Sequence, residues 1–147
     1  MFQQMKKRIK NEKGLTLIEL LAVVVILSIV AAIAVPAIGN IIENSRSKAV
    51  IADAQNVMSG ASLYFADVTV AENTGVAASA IKTAGYLESV GKLTDVTVTK
   101  LAAGNKISFK ATVKGKTEEF SGLTLQDLSG ATFDGGIITI GTTKYGD

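Results

Sequence analysis

A single carboxylate, Glu19, lies inside a long apolar run of the sequence, from Leu15 to Val35. At about 1.5 Å per residue, a helix of this length spans a hydrocarbon core of about 30 Å. A carboxylate costs on the order of 2.5–3.5 kcal/mol at the centre of a membrane helix and less near its end, so positive charge nearby must offset the cost. The helix macrodipole is one source, because it favours anions near an N-terminus. Cleavage after Gly14 would be another, because it would create an ammonium group on Leu15.

A Leu15 ammonium group would have two carboxylates within reach in a bundle of such helices. Four residues separate Leu15 from Glu19 in one chain, which allows a contact within that chain. A free amine on the first turn points away from its own helix, however, which favours the Glu19 of a neighbouring chain. Pairing between staggered chains would fix both the register and the axial step of the bundle. The macrodipole and the ion pair both remain open at this point.

The rest of the composition predicts no catalytic site and no cofactor. The chain of 147 residues has no cysteine and no histidine, so it lacks the usual ligands for zinc, haem and iron–sulfur clusters and the usual Ser-His-Asp and Cys-His nucleophiles. Gly115-Lys116-Thr117 ends like a phosphate loop, but Lys110 stands where the first glycine is required. Asp127 and Asp134 lie in predicted loops without the spacing of an EF-hand, which is weak support for calcium.

The basic residues are concentrated at the N-terminus and indicate membrane topology. Residues 1–14 carry a net charge of +4, whereas the whole chain has a net charge of +2. A basic cluster directly before an apolar segment stays in the cytoplasm, which sends the chain beyond Val35 across the membrane. The apolar run is too long for an ordinary secretory signal and has no small-residue cleavage site before Pro36. The charge therefore favours a membrane over a nucleic acid as partner.

These residues resemble the class III signal of type IV pilins and the related pseudopilins. The likeness covers roughly the first 50 residues and includes a basic leader of residues 1–14, Gly14 at the cut and hydrophobic Leu15 after it. Glu19 is the fifth residue beyond Gly14, and Pro36 is the twenty-second. The resemblance implies that a prepilin peptidase cuts after Gly14 and N-methylates Leu15, although the family's commonest residue after the cut is phenylalanine.

The resemblance also implies partners and a location. A prepilin rests in the cytoplasmic membrane as a single-pass protein and then polymerises into a helical filament on the cell surface, for adhesion or motility. The implied partners are the peptidase, a cytoplasmic assembly ATPase, a platform protein and minor pilins. Two alternatives stay open: a pseudopilin of a type II secretion or DNA-uptake machine, the one case that would involve nucleic acid, and a monomeric adhesin anchored by an uncut helix. An enzyme is not expected.

The apolar segment is predicted to be the first part of one long helix, residues 15–65. Pro36 removes a backbone donor and Gly39 adds backbone freedom, so residues 28–39 should bend or locally unwind. The resemblance to pilins implies that this segment melts on entry into a filament. Two apolar stripes follow at helical spacing. The first is assigned to neighbouring helices (Ile38, Ile41, Ile42, Ala49 and Ala52) and the second to the core of the head (Ile51, Ala54, Met58, Ala61 and Phe65).

The head, residues 66–147, is predicted to contain a short helix and an antiparallel sheet. The helix covers residues 76–83 and ends at Gly85. Strands are predicted over residues 94–101, 106–113 and 137–142, with a loop over residues 130–136. The expected fold is therefore α+β, with the second half of the long helix packed on three or four antiparallel strands.

The predicted strand over residues 106–113 shows a clear alternation of polar and apolar side chains. Ile107, Phe109, Ala111 and Val113 share one face, and the lysines at 106, 110, 114 and 116 lie away from Phe109, which favours a solvated face or a subunit contact over nucleic acid. A hairpin with Gly115 at its first central position is predicted next. It would place Phe120 opposite Ala111 and Glu119 opposite Thr112.

Overall fold

The computed structural model describes the backbone of residues 2–147 and the side chains of residues 16–147. The chain divides into two compact units, Met1–Gly39 and Asn40–Asp147. Its fold is α+β, as predicted. The elements are α1 (Phe2–Asp67), β1 (Gly75–Ala77), α2 (Ala78–Thr83), β2 (Thr94–Thr99), β3 (Lys106–Val113), β4 (Lys116–Leu123), α3 (Leu125–Ser129), β5 (Thr132–Asp134), β6 (Ile137–Ile140) and β7 (Thr143–Tyr145).

The first unit is helical and exposes its apolar side chains. The large apolar residues from Leu17 to Val35 are between 49% and 71% exposed. Ser28 donates its hydroxyl to the carbonyl of Val24 at 2.7 Å, so this polar group is satisfied without water. Among the described residues, α1 is the one helix long and apolar enough to cross a membrane. Its apolar surface requires lipid or other helices as cover.

In the second unit, α1 supplies one side of the core. The predicted second stripe is confirmed, because each of its members is at most 8% exposed. Val50 and Val57 widen this buried stripe. Ile41 and Ile42, from the first stripe, are exposed at 64% and 46%. The helix therefore presents one apolar face to the sheet and leaves a second apolar surface uncovered.

The main sheet packs one face on α1. Its four strands are antiparallel in the order β1-β2-β3-β4. In β3 the predicted face of Ile107, Phe109, Ala111 and Val113 is buried. The helix predicted over residues 76–83 begins later than expected, at Ala78, because the residues before it pair with β2.

The predicted register of the β3–β4 hairpin is wrong by two residues. Phe120 pairs with Phe109 rather than Ala111, and Glu119 pairs with Lys110 rather than Thr112. The turn has Lys114 and Gly115 at its centre, with φ of 48° and 78°. Positive φ at both positions is typical of a type I′ turn, whose twist suits the flanking strands. Gly115 therefore occupies the second central position, not the first.

The C-terminal region forms a second sheet that the sequence did not predict. β5, β6 and β7 are antiparallel in that order, so β5 lies within the predicted loop of residues 130–136. The predicted strand over residues 137–142 ends at Ile140, because Gly141 turns the chain with φ of 60°. Tyr145 of β7 stacks on Phe120, with ring centroids 4.0 Å apart. This contact joins the second sheet to the core of the first.

Phe120→Ala is expected to lower the free energy of unfolding by about 3–5 kcal/mol. The Phe120 side chain is fully buried and stacks on both Phe109 and Tyr145, so truncation leaves a cavity where the two sheets meet. Urea denaturation of the full chain in detergent micelles measures the change. Leu63→Ala is the control, because Leu63 is 62% exposed and its truncation should change stability by less than about 0.5 kcal/mol. Equal effects of the two substitutions would contradict this account of the core.

Candidate processing and assembly site

Glu19 is the sole charged residue between Thr16 and Gly39. Its side chain is exposed, as are those of Ile18 and Leu20, at 67% and 63%. On a helix it lies about 6 Å along the axis from residue 15. A carboxylate on this apolar surface would lose its hydration once lipid or other helices covered it, so positive charge nearby, from the helix macrodipole or from a cation, must offset the cost.

Gly14 and Leu15 lie outside the residues whose side chains the structure describes. Cleavage between them, N-methylation of Leu15 and the pairing of its amine with Glu19 therefore stay predictions. The structure shows an exposed apolar helical surface that carries one acidic residue, Glu19, close to the predicted new N-terminus.

Pro36 and Gly39 lie within α1, at the end of the first unit. Pro36 has no backbone N–H, so the carbonyl of Ala32 has no helical donor at this position. A Cβ added to Gly39 would meet nothing within 4 Å, so the chain's own fold does not require glycine there. Residues 28–39 are helical in the structure. The bend predicted there from Pro36 and Gly39 stays a prediction, and so does the melting that the resemblance implies on entry into a filament.

A polar clamp that the sequence did not reveal holds a turn against the start of α1 in the second unit. The Gly136 N–H donates to Asn44 Oδ1 at 2.8 Å, and the buried Ser47 hydroxyl donates to the Gly136 carbonyl. Gly136 has φ of 86°, and a Cβ there would lie 2.7 Å from the Cβ of Glu43. The pair of glycines at 135 and 136 was the available signal, since consecutive glycines mark tight turns and close backbone approach.

Asp127 and Asp134 lie in regular elements, so the prediction that they are loop residues is wrong. Asp127 is in α3 and accepts hydrogen bonds from the Thr124 N–H and hydroxyl at 2.9 and 2.8 Å, forming a capping box. These bonds favour the carboxylate and lower the pKa of Asp127. Asp134 ends β5. Across residues 16–147, no group of three potential acidic, histidine or cysteine ligands comes together.

The lysines of the hairpin make ordinary surface contacts. Lys110 pairs with Asp95 at 2.9 Å, an interaction that raises the pKa of the lysine. The Lys116 ammonium group donates to the main-chain carbonyl of Asp147. Lys116 and Thr117 begin β4 after the turn, whereas a phosphate loop leads from a strand into a helix.

Comparison with known proteins identifies the N-terminal part of the chain. A family model described as the prokaryotic N-terminal methylation motif matches residues 9–35. No curated protein and no solved structure matches the chain. The match contains Gly14, Leu15 and Glu19 and ends immediately before Pro36. It confirms the predicted class III signal in this N-terminal part of the chain.

Proposed function

We propose that this protein is the precursor of a filament subunit of the type IV pilus kind. In this proposal the chain is cut after Gly14, N-methylated at Leu15 and polymerised through the apolar helix over residues 15–35. The observation that carries the proposal is the methylation motif at residues 9–35, which overlaps the exposed apolar segment of α1 over residues 16–39, where Glu19 is the one charged residue.

The packing of the second unit supports this role. The second unit has a core of 22 buried apolar residues, all from Val50 onward, whereas the large apolar side chains from Leu17 to Val35 are exposed. The apolar segment is thus available first to lipid and then to like segments of other copies. Exchange of lipid for helix contacts gains little hydrophobic free energy, so close packing and ion pairing would direct assembly.

The proposed partners follow from the signal and the topology. A prepilin peptidase would cut and methylate the chain, and a cytoplasmic ATPase, a platform protein and minor pilins would act in assembly. The precursor would lie in the cytoplasmic membrane with residues 1–14 inside, and the filament would extend from the cell surface for adhesion or motility.

A pseudopilin of a secretion or DNA-uptake machine is the second candidate, because the methylation motif at residues 9–35 serves both kinds of subunit. Long surface fibres composed chiefly of this protein would favour the pilus subunit. Short fibres that depend on a secretion or uptake system would favour the pseudopilin.

Intact-mass analysis of the mature protein tests the shared part of the proposal. We expect a chain that begins at Leu15 and is one methyl group heavier than the unmodified sequence, recovered from filaments sheared off the cells. Protein retained in peptidase-deficient cells is the control and should keep residues 1–14. A mature protein that begins at Met1 would instead support the uncut, monomeric anchor.

A further inference from the structure

The polar clamp of Asn44, Ser47 and Gly136 lies where α1 first becomes buried. No side chain from residue 16 to residue 46 is buried, whereas Ser47 and Val50 are each 3% exposed. Ser47 is also the one buried polar residue among the side chains of residues 16–147. Within its described side chains, α1 therefore begins to pack on the head at the clamp.

Ahead of Ser47, the helix is held mainly by its own bonds. Apart from the bond of Asn44, the side-chain hydrogen bonds of residues 28–46 lie within α1. The Ser45 hydroxyl donates to the carbonyl four residues earlier at 2.9 Å. Arg46 pairs with Glu43 at 2.8 Å, and the arginine side chain is 65% exposed. An exposed pair within one helix adds little to its stability.

The clamp binds both main-chain groups of a single residue. Gly136 lies in the β5–β6 turn, between the paired residues Asp134 and Ile137, so its N–H and carbonyl lie outside the pairing of the two strands. The N–H donates to Asn44 Oδ1 at 2.8 Å, and the carbonyl accepts from the Ser47 hydroxyl. Asn44 and Ser47 are three positions apart, so they lie on one face of the helix.

Close packing couples these two hydrogen bonds. A Cβ at Gly136 would lie 2.7 Å from Glu43 Cβ and 2.9 Å from Lys114 Cγ, so the turn is packed between α1 and the β3–β4 turn. A hydrogen bond at a buried group such as the Ser47 hydroxyl is stronger than one in water. Movement of α1 here would leave both main-chain groups of Gly136 without partners, which is costly for buried groups. We expect the two bonds to break together.

The helix ahead of the clamp contains two positions that favour local opening. Pro36 has no backbone N–H, and Gly39 is the residue type with the most backbone freedom. A helix that opens at one place loses its neighbouring turns one after another, until a tertiary contact opposes the opening. In the direction of the head, the first buried contact that an opening would meet is the clamp.

We propose that the clamp stops the unwinding of α1, so that the helix opens as far as Asn44 and stays closed from there onward. Val50 follows less than one turn after Ser47, so an opening that passed the clamp would begin to detach α1 from the sheet. The stop also sets the limit, on the side of the head, of the unwinding predicted around Pro36 and Gly39. This inference does not rest on the proposed filament.

Amide-resolved hydrogen exchange of the full, unprocessed chain in detergent micelles tests the stop. A helical N–H bonds a carbonyl four residues earlier, so an opening up to Asn44 exposes amides as far as residue 46. In the unmodified protein, amides 40–46 should exchange at least about tenfold faster than amides 48–50. In an Asn44→Ala/Ser47→Ala double variant, amides 48–50 should exchange about 10- to 100-fold faster than before, because each lost hydrogen bond changes an opening equilibrium by up to about tenfold. Amides 40–46 should keep their rates, because their opening does not break the clamp.

Ser45→Ala is the matched control. It also replaces a serine of α1 by alanine, but this hydroxyl bonds its own helix, so the step in exchange rate should stay at residue 47. Asn44→Asp keeps an acceptor oxygen for the Gly136 N–H and should retain the step as well.

Three results would overturn the proposal. The first is the absence of a step in the unmodified protein. The second is a step at the same position in the double variant. The third is equal acceleration of amides 40–46 and 48–50, which would mean that the clamp holds the whole helix closed. If the double variant does not fold, Asn44→Ala alone decides by the same comparison. Failure of the protein to form filaments would overturn the proposed function and leave this inference unaffected.

Discussion

Glu19→Gln is expected to reduce filament assembly by about two orders of magnitude or more while leaving cleavage after Gly14 intact. Removal of one partner of a buried ion pair costs about 3–5 kcal/mol, since the other charge is left without compensation. In the proposed filament, that charge would be the ammonium group of Leu15 on a neighbouring copy. The measurement is the ratio of sheared filament protein to membrane-retained protein, with the mature N-terminus determined by mass spectrometry.

Two further substitutions make this result specific. Glu19→Asp keeps the charge but shortens the side chain, so assembly should be intermediate. Glu88→Gln removes an exposed carboxylate from the head and should assemble normally. Normal assembly of Glu19→Gln would show that no ion pair of Glu19 holds the filament together. The macrodipole at the start of the helix would then be sufficient to stabilise the Glu19 carboxylate.

The buried faces of the head could be predicted from the sequence, but the strand register could not. Alternation identifies the side of β3 that carries Phe109 and Ala111. A shift of the partner strand by two residues leaves every side chain on its original face, so alternation cannot distinguish the two registers. The choice is made by a contact between strands, the stacking of Phe109 on Phe120 at 4.6 Å, and by the left-handed conformation of Lys114. Non-glycine residues adopt that conformation rarely, which explains why the sequence favoured the other turn.

The second sheet and the clamp were missed for a related reason. β5 and β7 have three residues each, too few for a periodic pattern to emerge. The clamp joins Asn44 to a turn 92 positions later in the chain, and no local pattern reports such a contact. Ser47 resembles any polar residue of an exposed helix until the fold places the Gly136 carbonyl beside it.

The N-terminal signal was accessible to sequence reasoning because it is a linear motif. The motif lies along a single segment that contains the basic leader, Gly14, Leu15 and Glu19. Its spacing can therefore be recognised without knowledge of the tertiary fold. Surface features of the head are different, because residues that are distant in sequence form them. Leu63 and Leu125 are distant in sequence and form one groove only after α3 has docked near α1.

Gly14→Val is expected to leave residues 1–14 attached and to abolish filaments. The predicted scissile bond follows a residue without a side chain, and valine places a stiff, β-branched group directly beside it. The amine of Leu15 would then stay in a peptide bond and carry no charge. Intact-mass analysis and electron microscopy of sheared material measure the two effects. Gly14→Ala, which adds one methyl group, should be cut more slowly but still assemble.

The variants at Gly14 and Glu19 remove opposite halves of the same proposed ion pair. Gly14→Val keeps the carboxylate and loses the ammonium group, whereas Glu19→Gln keeps the ammonium group and loses the carboxylate. If that pair is the reason for both defects, both single variants should lose assembly severely, because each leaves one charge of the pair without its partner. Filaments in normal amount from uncut Gly14→Val would show that the Leu15 ammonium group is dispensable.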